Sequence, residues 1–224
     1  TLIALQSIRG NLFRATLTML GIIIGVAAVI TMVALGAGAQ QAIDEQMEAL
    51  GGDILSVSSA GFFSRGIARN QQTLTTGDAL ALAQQSVSFG GVVPEIDGRR
   101  QIKYGNKNLN LTVLGTTPNY ADIHLFSIAA GRMFNQSDDS ARRRVAVLGA
   151  EVPNMLDTDA TSILGKTIQI RSISFDIIGV LEAKGSLGWH NPDDDIWIPL
   201  STAQFRVTGS DFVGTISVKV REDS

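Results

Sequence analysis

The run closest to a phosphate site is Ala160-Thr-Ser-Ile-Leu-Gly165-Lys166-Thr167, a loose form of the glycine-rich loop whose backbone N–H groups cradle phosphates beside a lysine. Such a cradle needs a buried strand before it and a helix N-terminus facing the anion after it. Polar Asp157-Thr158-Asp159 precedes this run and an alternating Thr167-Ile-Gln-Ile170 strand follows it, so no nucleotide site is expected. His190 with Asp193, Asp194 and Asp195 offers metal-ligating residue types. Consecutive acids point in different directions, however, and zinc takes three or four convergent ligands, so these residues read as a solvated loop. His124 stands alone in an apolar context and reads as a satisfied core or surface residue rather than a ligand, and Arg142-Arg143-Arg144 reads as the solvated edge of a strand. Serines are plentiful but lack nucleophile-elbow spacing and a histidine partner. The absence of cysteine excludes a thiol nucleophile, a thiolate zinc site and a disulfide scaffold. No residue is nominated as catalytic, cofactor-binding or metal-ligating.

What must position any site is dominated by one element. From Ala15 to Ile43 the chain carries no formal charge, and a helix of that stretch rises ~40 Å, more than the ~30 Å of a bilayer core. Arg9 and Arg14 precede it and Asp44, Glu45 and Glu48 follow, which by the positive-inside bias puts the N-terminus in the cytoplasm and the bulk of the chain outside. Ala37-Gly38-Ala39 resembles a signal-peptide cleavage site, but the apolar run from Leu17 to Leu35 exceeds the ~7 to 15 residues of a signal core, so a retained span is expected. Ile43, Met47 and Leu50 continue at helical spacing as an apolar stripe on a stalk beyond the membrane. Before the span, Leu2, Leu5, Ile8 and Leu12 share one arc and Gln6, Ser7, Asn11 and Arg14 another, the pattern of a helix at the cytoplasmic lipid interface. Gly21 and Gly25, extended by Ala28, form a small-residue face that lets a second helix approach. The net charge of −3 gives no basic surface for nucleic acid.

The remainder is α+β in texture. Asp53 to Ser59 is a short β run, and residues 60–72 lack periodicity and read as a loop, in which Phe62, Phe63, Arg65 and Arg69 are candidates for partner or cargo contact. Thr75-Thr76-Gly77-Asp78 offers a capped helix start, with Leu80, Ala83 and Val87 on one face of a helix of about three turns. Val92 and Val93 follow in an extended stretch. Arg100–Tyr104 and Leu109–Leu114 alternate around Gly105-Asn106-Lys107-Asn108 as a hairpin. A helical turn is expected near Pro118, a strand at Val145–Leu148, a helix near Ala150–Leu156, a hairpin of Thr167–Ile170 with Phe175–Leu181, and a β segment at Asp195–Ile198. A short helix at Thr202–Arg206 and a strand at Thr215–Val220 close the chain, the strand returning to the first sheet.

Several of these runs together carry a family resemblance. Leu17-Thr-Met-Leu-Gly-Ile-Ile-Ile-Gly-Val-Ala-Ala-Val-Ile30, Ala34-Leu-Gly-Ala-Gly38 and Leu50-Gly-Gly-Asp-Ile-Leu55 resemble the first membrane helix of MacB-type ABC transporter permeases. Leu74-Thr-Thr-Gly-Asp-Ala79, Ala130-Gly-Arg-Met-Phe134, Val145-Ala-Val-Leu-Gly149, Leu164-Gly-Lys166, Phe175-Asp-Ile-Ile-Gly-Val180 and Ile198-Pro-Leu-Ser-Thr202 resemble, in order, the family's periplasmic core.

The resemblance implies a cytoplasmic interfacial helix over 1–14, a membrane and stalk helix over 15–50, a porter-like subdomain over 51–116 and 200–224, and an inserted β-rich Sabre-like subdomain over 117–199. It places Gly165-Lys166-Thr167 at the start of a β-hairpin. It implies a permease of the bacterial inner membrane that relays ATP-driven motion to a periplasmic domain for export or extraction of macrolides, peptides or lipoproteins. The chain is then no enzyme itself. ATP and Mg belong to an associated ABC ATPase, fused or separate, and no cofactor is expected here. A second permease copy, a periplasmic adaptor and an outer-membrane channel are the further partners implied. The chain begins without Met and stops at Arg221-Glu-Asp-Ser224, so it is expected to be a piece of a permease with four membrane helices. The alternative is a single-span receptor whose outer domain binds a small ligand. An anchored extracytoplasmic enzyme is a third class, resting, like the receptor, on fold analogy alone.

Overall fold

The computed structural model describes residues 12–49, 54–59, 74–85, 89–185 and 191–220. It comprises two units, residues 1–49 and 50–224. The first is a single unbroken helix, α1 (Leu12–Ala49). No proline interrupts it, and its apolar residues run all the way round rather than along one stripe. Four glycines, at 21, 25, 36 and 38, would each weaken such a helix in water by about 1 kcal/mol relative to alanine. In a bilayer the helix is enforced, because each backbone polar group must find its partner within the segment. Of the interfacial helix expected over 1–14, residues 1–11 lie outside the described part, and 12–14 belong to α1.

The second unit is built on one nine-stranded sheet in the order β1-β9-β2-β3-β8-β5-β7-β4, with β6 bridging β2 and β7. The strands are β1 (Ile54–Ser58), β2 (Phe89–Tyr104), β3 (Lys107–Thr116), β4 (Ile128–Gly131), β5 (Val145–Leu148), β6 (Thr167–Ile170), β7 (Ile173–Leu181), β8 (Ile196–Pro199) and β9 (Thr215–Val220). Pairing is antiparallel except for β3 with β8 and β5 with β7. Helical pieces are α2 (Thr76–Gln85), α3 (Tyr120–Ile123), α4 (Gln136–Ser140), α5 (Val152–Met155) and α6 (Leu200–Thr202), which runs into a π-helical segment, Ala203–Thr208.

β2 explains the shape of this sheet. Its sixteen residues pair with β9 over Phe89–Glu95 and with β3 over Ile96–Tyr104. Gly90, Gly91, Pro94 and Gly98 all fall inside it, which is why the sequence reads as two separate β stretches. Pro94, paired with Ile216, sits where β2 has a strand on one side only, so its missing N–H costs no second ladder bond. The hairpin to β3 closes through two residues, Gly105-Asn106, with Gly105 at φ +54°, tighter than the four-residue turn expected. β6 and β7 turn through Arg171 and Ser172, both left-handed at φ +49° and +68°.

Three apolar clusters fill the unit. One gathers Ile102, Leu111 and Val113 with Leu148, Ile168, Phe175, Ile177, Ile196 and, from the far end of the chain, Ala203 and Val207. A second surrounds Trp197 and Phe134, and a third joins Ala79 of α2 to Ile96, Leu200, Val213, Ile216 and Val218. The β2–β3 hairpin therefore packs with β6, β7 and β8, and the boundary drawn between residues 116 and 117 runs through a continuous sheet.

Candidate functional site

The sequence nominates α1, and its described surface is apolar, with its threonine hydroxyls bonded to the helix's own carbonyls. Thr16 Oγ1 donates to Phe13 O at 3.1 Å, Thr18 Oγ1 to Arg14 O at 2.9 Å and Thr31 Oγ1 to Ala27 O at 2.8 Å. These hydroxyls need no partner across the membrane. The 29 residues Phe13–Gln41 are long and apolar enough to span a bilayer, and none of the apolar window is buried within the chain. A side chain added at Gly21 or Gly25 would meet nothing within 4 Å, so this face with Ala28 is open to a second helix. Of the stalk stripe, Ile43 is exposed, Met47 lies in the helix, and Leu50 lies outside the described residues. Phe62, Phe63, Arg65 and Arg69, and His190, also lie outside them.

In the second unit, α2 begins with reciprocal capping. Thr75 N–H donates to Asp78 Oδ2 at 2.8 Å and Asp78 N–H to Thr75 Oγ1 at 3.3 Å, and the Thr75 bonds hold the Asp78 carboxyl below its usual range. The face of α2 that Leu80 and Ala83 share is exposed, and Ala79 with Leu82 turns inward; Val87 is outside the described residues. One residue rotates a helix by about 100°, and that rotation puts Leu80, 59% exposed, on a half-open groove of about 410 Å³. Leu80, Ala83, Val92, Pro94, Leu200 and Gln204 are among its walls. Gln204 ties the groove together, donating from Nε2 to Thr76 Oγ1 at 2.6 Å and to Asp211 O at 3.1 Å.

Below the groove lies a polar knot that sequence reading missed. Asn135 and Asp138 form a capping box on α4: Asp138 N–H donates to Asn135 Oδ1 at 3.0 Å and Asn135 N–H to Asp138 Oδ2 at 3.1 Å. Arg132 and Arg143 converge on the Asp138 carboxylate at 2.7 and 3.3 Å. The Arg132 hydrogen bond, with the Asn135 N–H and Arg143, holds that carboxyl down to about 2 against the cost of burial. Asp139 accepts from Ser201 N–H at 2.8 Å and Ser201 Oγ at 3.1 Å, and Thr202 Oγ1 donates to Arg143 O at 2.9 Å. Asn135-x-x-Asp138 is a cap signal visible in the sequence; the link of the neighbouring Asp139 to Ser201, 62 residues away, is not.

The remaining chemical candidates resolve into structure. Gly165, at φ +73°, donates its N–H to Ile177 O at 2.8 Å, and Ile177 N–H donates to Lys166 O at 2.8 Å, so Gly165-Lys166-Thr167 is the turn into β6, with the Gly165 N–H engaged within it. Asp193 is buried and accepts from Lys184 N–H and Gly185 N–H at 2.9 and 2.8 Å. Among the described residues no three His, Asp or Glu side chains converge as a metal site. His124 stacks on Tyr120 at 4.2 Å between ring centroids, its Nε2 3.7 Å from Glu95 Oε1, and Tyr120 in turn meets the Phe126 and Trp197 rings. The Arg142–Arg144 run is not merely a solvated edge: Arg143 pairs with Asp138 and Arg142 lies over Phe205 at 4.1 Å.

Comparison with known proteins gives a consistent picture. The profile of the family described as MacB-like periplasmic core domain matches residues 15–224. The macrolide export ATP-binding/permease protein MacB of Bdellovibrio bacteriovorus is 35% identical over 220 residues, 97% of this chain and 34% of its own length. That of Chlorobaculum tepidum is 36% identical over 220 residues, with the same two coverages, 97% and 34%. The chain spans about a third of the length of these relatives. Among solved structures, the periplasmic region of MacB from Actinobacillus actinomycetemcomitans superposes with a TM-score of 0.68 at 23% identity, covering 80% of this chain and 79% of that one. The extracellular domain of the noncanonic ABC-type transporter YknZ from Gram-positive bacteria gives 0.58 at 19% identity, covering 76% and 83%. At those identities the structural likeness speaks to fold.

Proposed function

Because the chain belongs to the MacB-like periplasmic core domain family, we propose that it is the first membrane helix and periplasmic domain of an ABC exporter permease, a part that relays motion rather than performing chemistry. In this reading α1 crosses the bacterial inner membrane with its N-terminus in the cytoplasm. An ATPase, fused or separate, supplies ATP and Mg chemistry. Two permease copies close and open against each other, and the movement passes along α1 into the outer domain. An adaptor and an outer-membrane channel carry cargo onward. The names of the relatives, which are macrolide export proteins, support export as the activity and macrolides as the first cargo to test.

The observation that carries the reading is the continuity of α1. Its 38 residues rise ~57 Å, well beyond a ~30 Å hydrocarbon core, without a proline. A helix held by i to i−4 hydrogen bonds across that length transmits displacement, whereas a hinge at the membrane surface would absorb it. Substrate need not enter the bilayer beside it, since the span carries no charged residue from Ala15 to Ile43.

The test is Ile43→Cys in the full permease, oxidised to lock the two stalks together. Export and its coupling to ATP hydrolysis are expected to stop on oxidation and return with reductant. A crosslinked dimer that exports as well as the reduced one would contradict the relay.

A further inference from the structure

We infer that the face formed by Phe205, Arg142 and Arg206, together with the groove along α2, is a docking surface for an acidic amphipathic segment of a partner protein. The inference goes beyond the transport reading and does not depend on it. Phe205 is 60% exposed, yet it is not a stray apolar side chain. The Arg142 guanidinium carbon lies 4.1 Å from its ring centroid and that of Arg206 5.6 Å, so two cations flank one exposed ring. Neither arginine has a carboxylate within ion-pair distance among the described residues, unlike Arg132 and Arg143, which share Asp138.

Two backbone features build this arrangement. Arg142 holds φ +50°, a left-handed conformation that a long side chain adopts only when its surroundings impose it. Phe205 and Arg206 ride on the π-helical segment, a rare geometry that recurs at functional positions. Ala203 and Val207 of that segment are buried in the core, which fixes the residues between them outward.

The surface is concave as well as charged. Arg142, Phe205, Gly209, Ser210 and Asp211 surround a concavity of about 440 Å³ that shares Ser201 and Gln204 with the 410 Å³ groove beneath Leu80. Asp139 is already engaged by Ser201 and Asp138 by two arginines. The carboxylates left on this face are Asp211 and Asp139, which accepts only from the neutral Ser201 N–H and Oγ and keeps its charge; among the described residues neither is paired with Arg142 or Arg206. Exposed Leu80 and Phe205 offer apolar seats and the arginines offer planar forks for carboxylates. Aromatic and arginine side chains together are the composition enriched at protein–protein contacts. The complementary ligand is a helix or strand with Leu-like anchors and flanking Asp or Glu.

The probe is a fluorescein-labelled 16-residue helical peptide with a leucine stripe at i, i+3 and i+4 spacing and glutamates on its flanks, compared with otherwise identical Gln and Lys peptides. Binding to the full chain in an uncharged detergent is followed by anisotropy. The Glu peptide is expected to bind about tenfold tighter than the Gln peptide and the Lys peptide weakest, with the difference shrinking as salt rises. Arg142→Ala with Arg206→Ala removes the Glu advantage. Phe205→Ala weakens Glu and Gln peptides alike. If the double variant fails to fold, Arg142→Gln alone is expected to reduce the advantage.

Equal affinity for the three peptides, an advantage that survives loss of both arginines, or no binding of the Glu peptide up to about 1 mM, an affinity of only ~4 kcal/mol, overturns the proposal. So does the case in which phosphatidylglycerol vesicles, and not the peptides, bind in an Arg142- and Arg206-dependent way, which assigns the surface to anionic lipid.

Discussion

Asp138 shows how one carboxylate can organise a lobe. It caps α4, accepts from two guanidiniums and is buried, and the Arg132 bond above all keeps its carboxyl depressed to about 2. A depressed folded-state value stabilises above the unfolded value of ~3.9 and is lost as pH falls toward about 2. Asp138→Ala is therefore expected to destabilise by about 1–3 kcal/mol at pH 7, with the difference from the parent closing between about pH 4 and pH 2; urea unfolding at pH 7, 4 and 2.5 measures it. Asp139 acts across a longer distance, since it accepts both the Ser201 N–H and Oγ. Asp139→Ala leaves the Ser201 N–H without its acceptor and is expected to cost a similar amount, about 1–3 kcal/mol, with no recovery in Asp139→Asn unless its amide oxygen faces that N–H.

At the scale of elements, the sheet depends on a few backbone approaches that only glycine permits. A Cβ on Gly179 of β7 would strike the Arg132 carbonyl oxygen just beyond β4. Gly179→Ala is expected to lower stability by about 1–3 kcal/mol or more, because the obstacle is backbone and not a side chain that can swing away; thermal melts measure the loss. The elements themselves were largely legible. Alternation revealed β3, β6, β7 and β9, and Thr75-x-x-Asp78 revealed the start of α2. What stayed hidden depended on partners distant in sequence. β2 was divided by glycines and Pro94, which are tolerated because β9 and β3 pair with different halves of it. Which face of α2 turns inward was not legible: Leu80 is more apolar than Ala79, yet Ala79 is the one that joins the cluster with Ile96 and Val218. The Phe205 surface was invisible because Arg142 and Phe205 meet only through the fold.

The described molecule comprises an apolar helix of 38 residues and a sheet domain, and the helix was the more readable of the two. A charge-free run announces itself without any tertiary information, whereas the course of a nine-stranded sheet is decided by pairings between residues 113 and 196 or 54 and 219. The central claim is that α1 acts as one rigid connection, and Ala42→Pro in the full permease tests it most directly. A proline there removes one hydrogen bond and clashes with the Gly38 carbonyl, a cost of about 3 kcal/mol that kinks the helix beyond the span. With the permease and its ATPase in proteoliposomes, ATP hydrolysis is predicted to continue within about twofold while export falls at least about tenfold. Export at the parental rate through a kinked α1 would contradict the account.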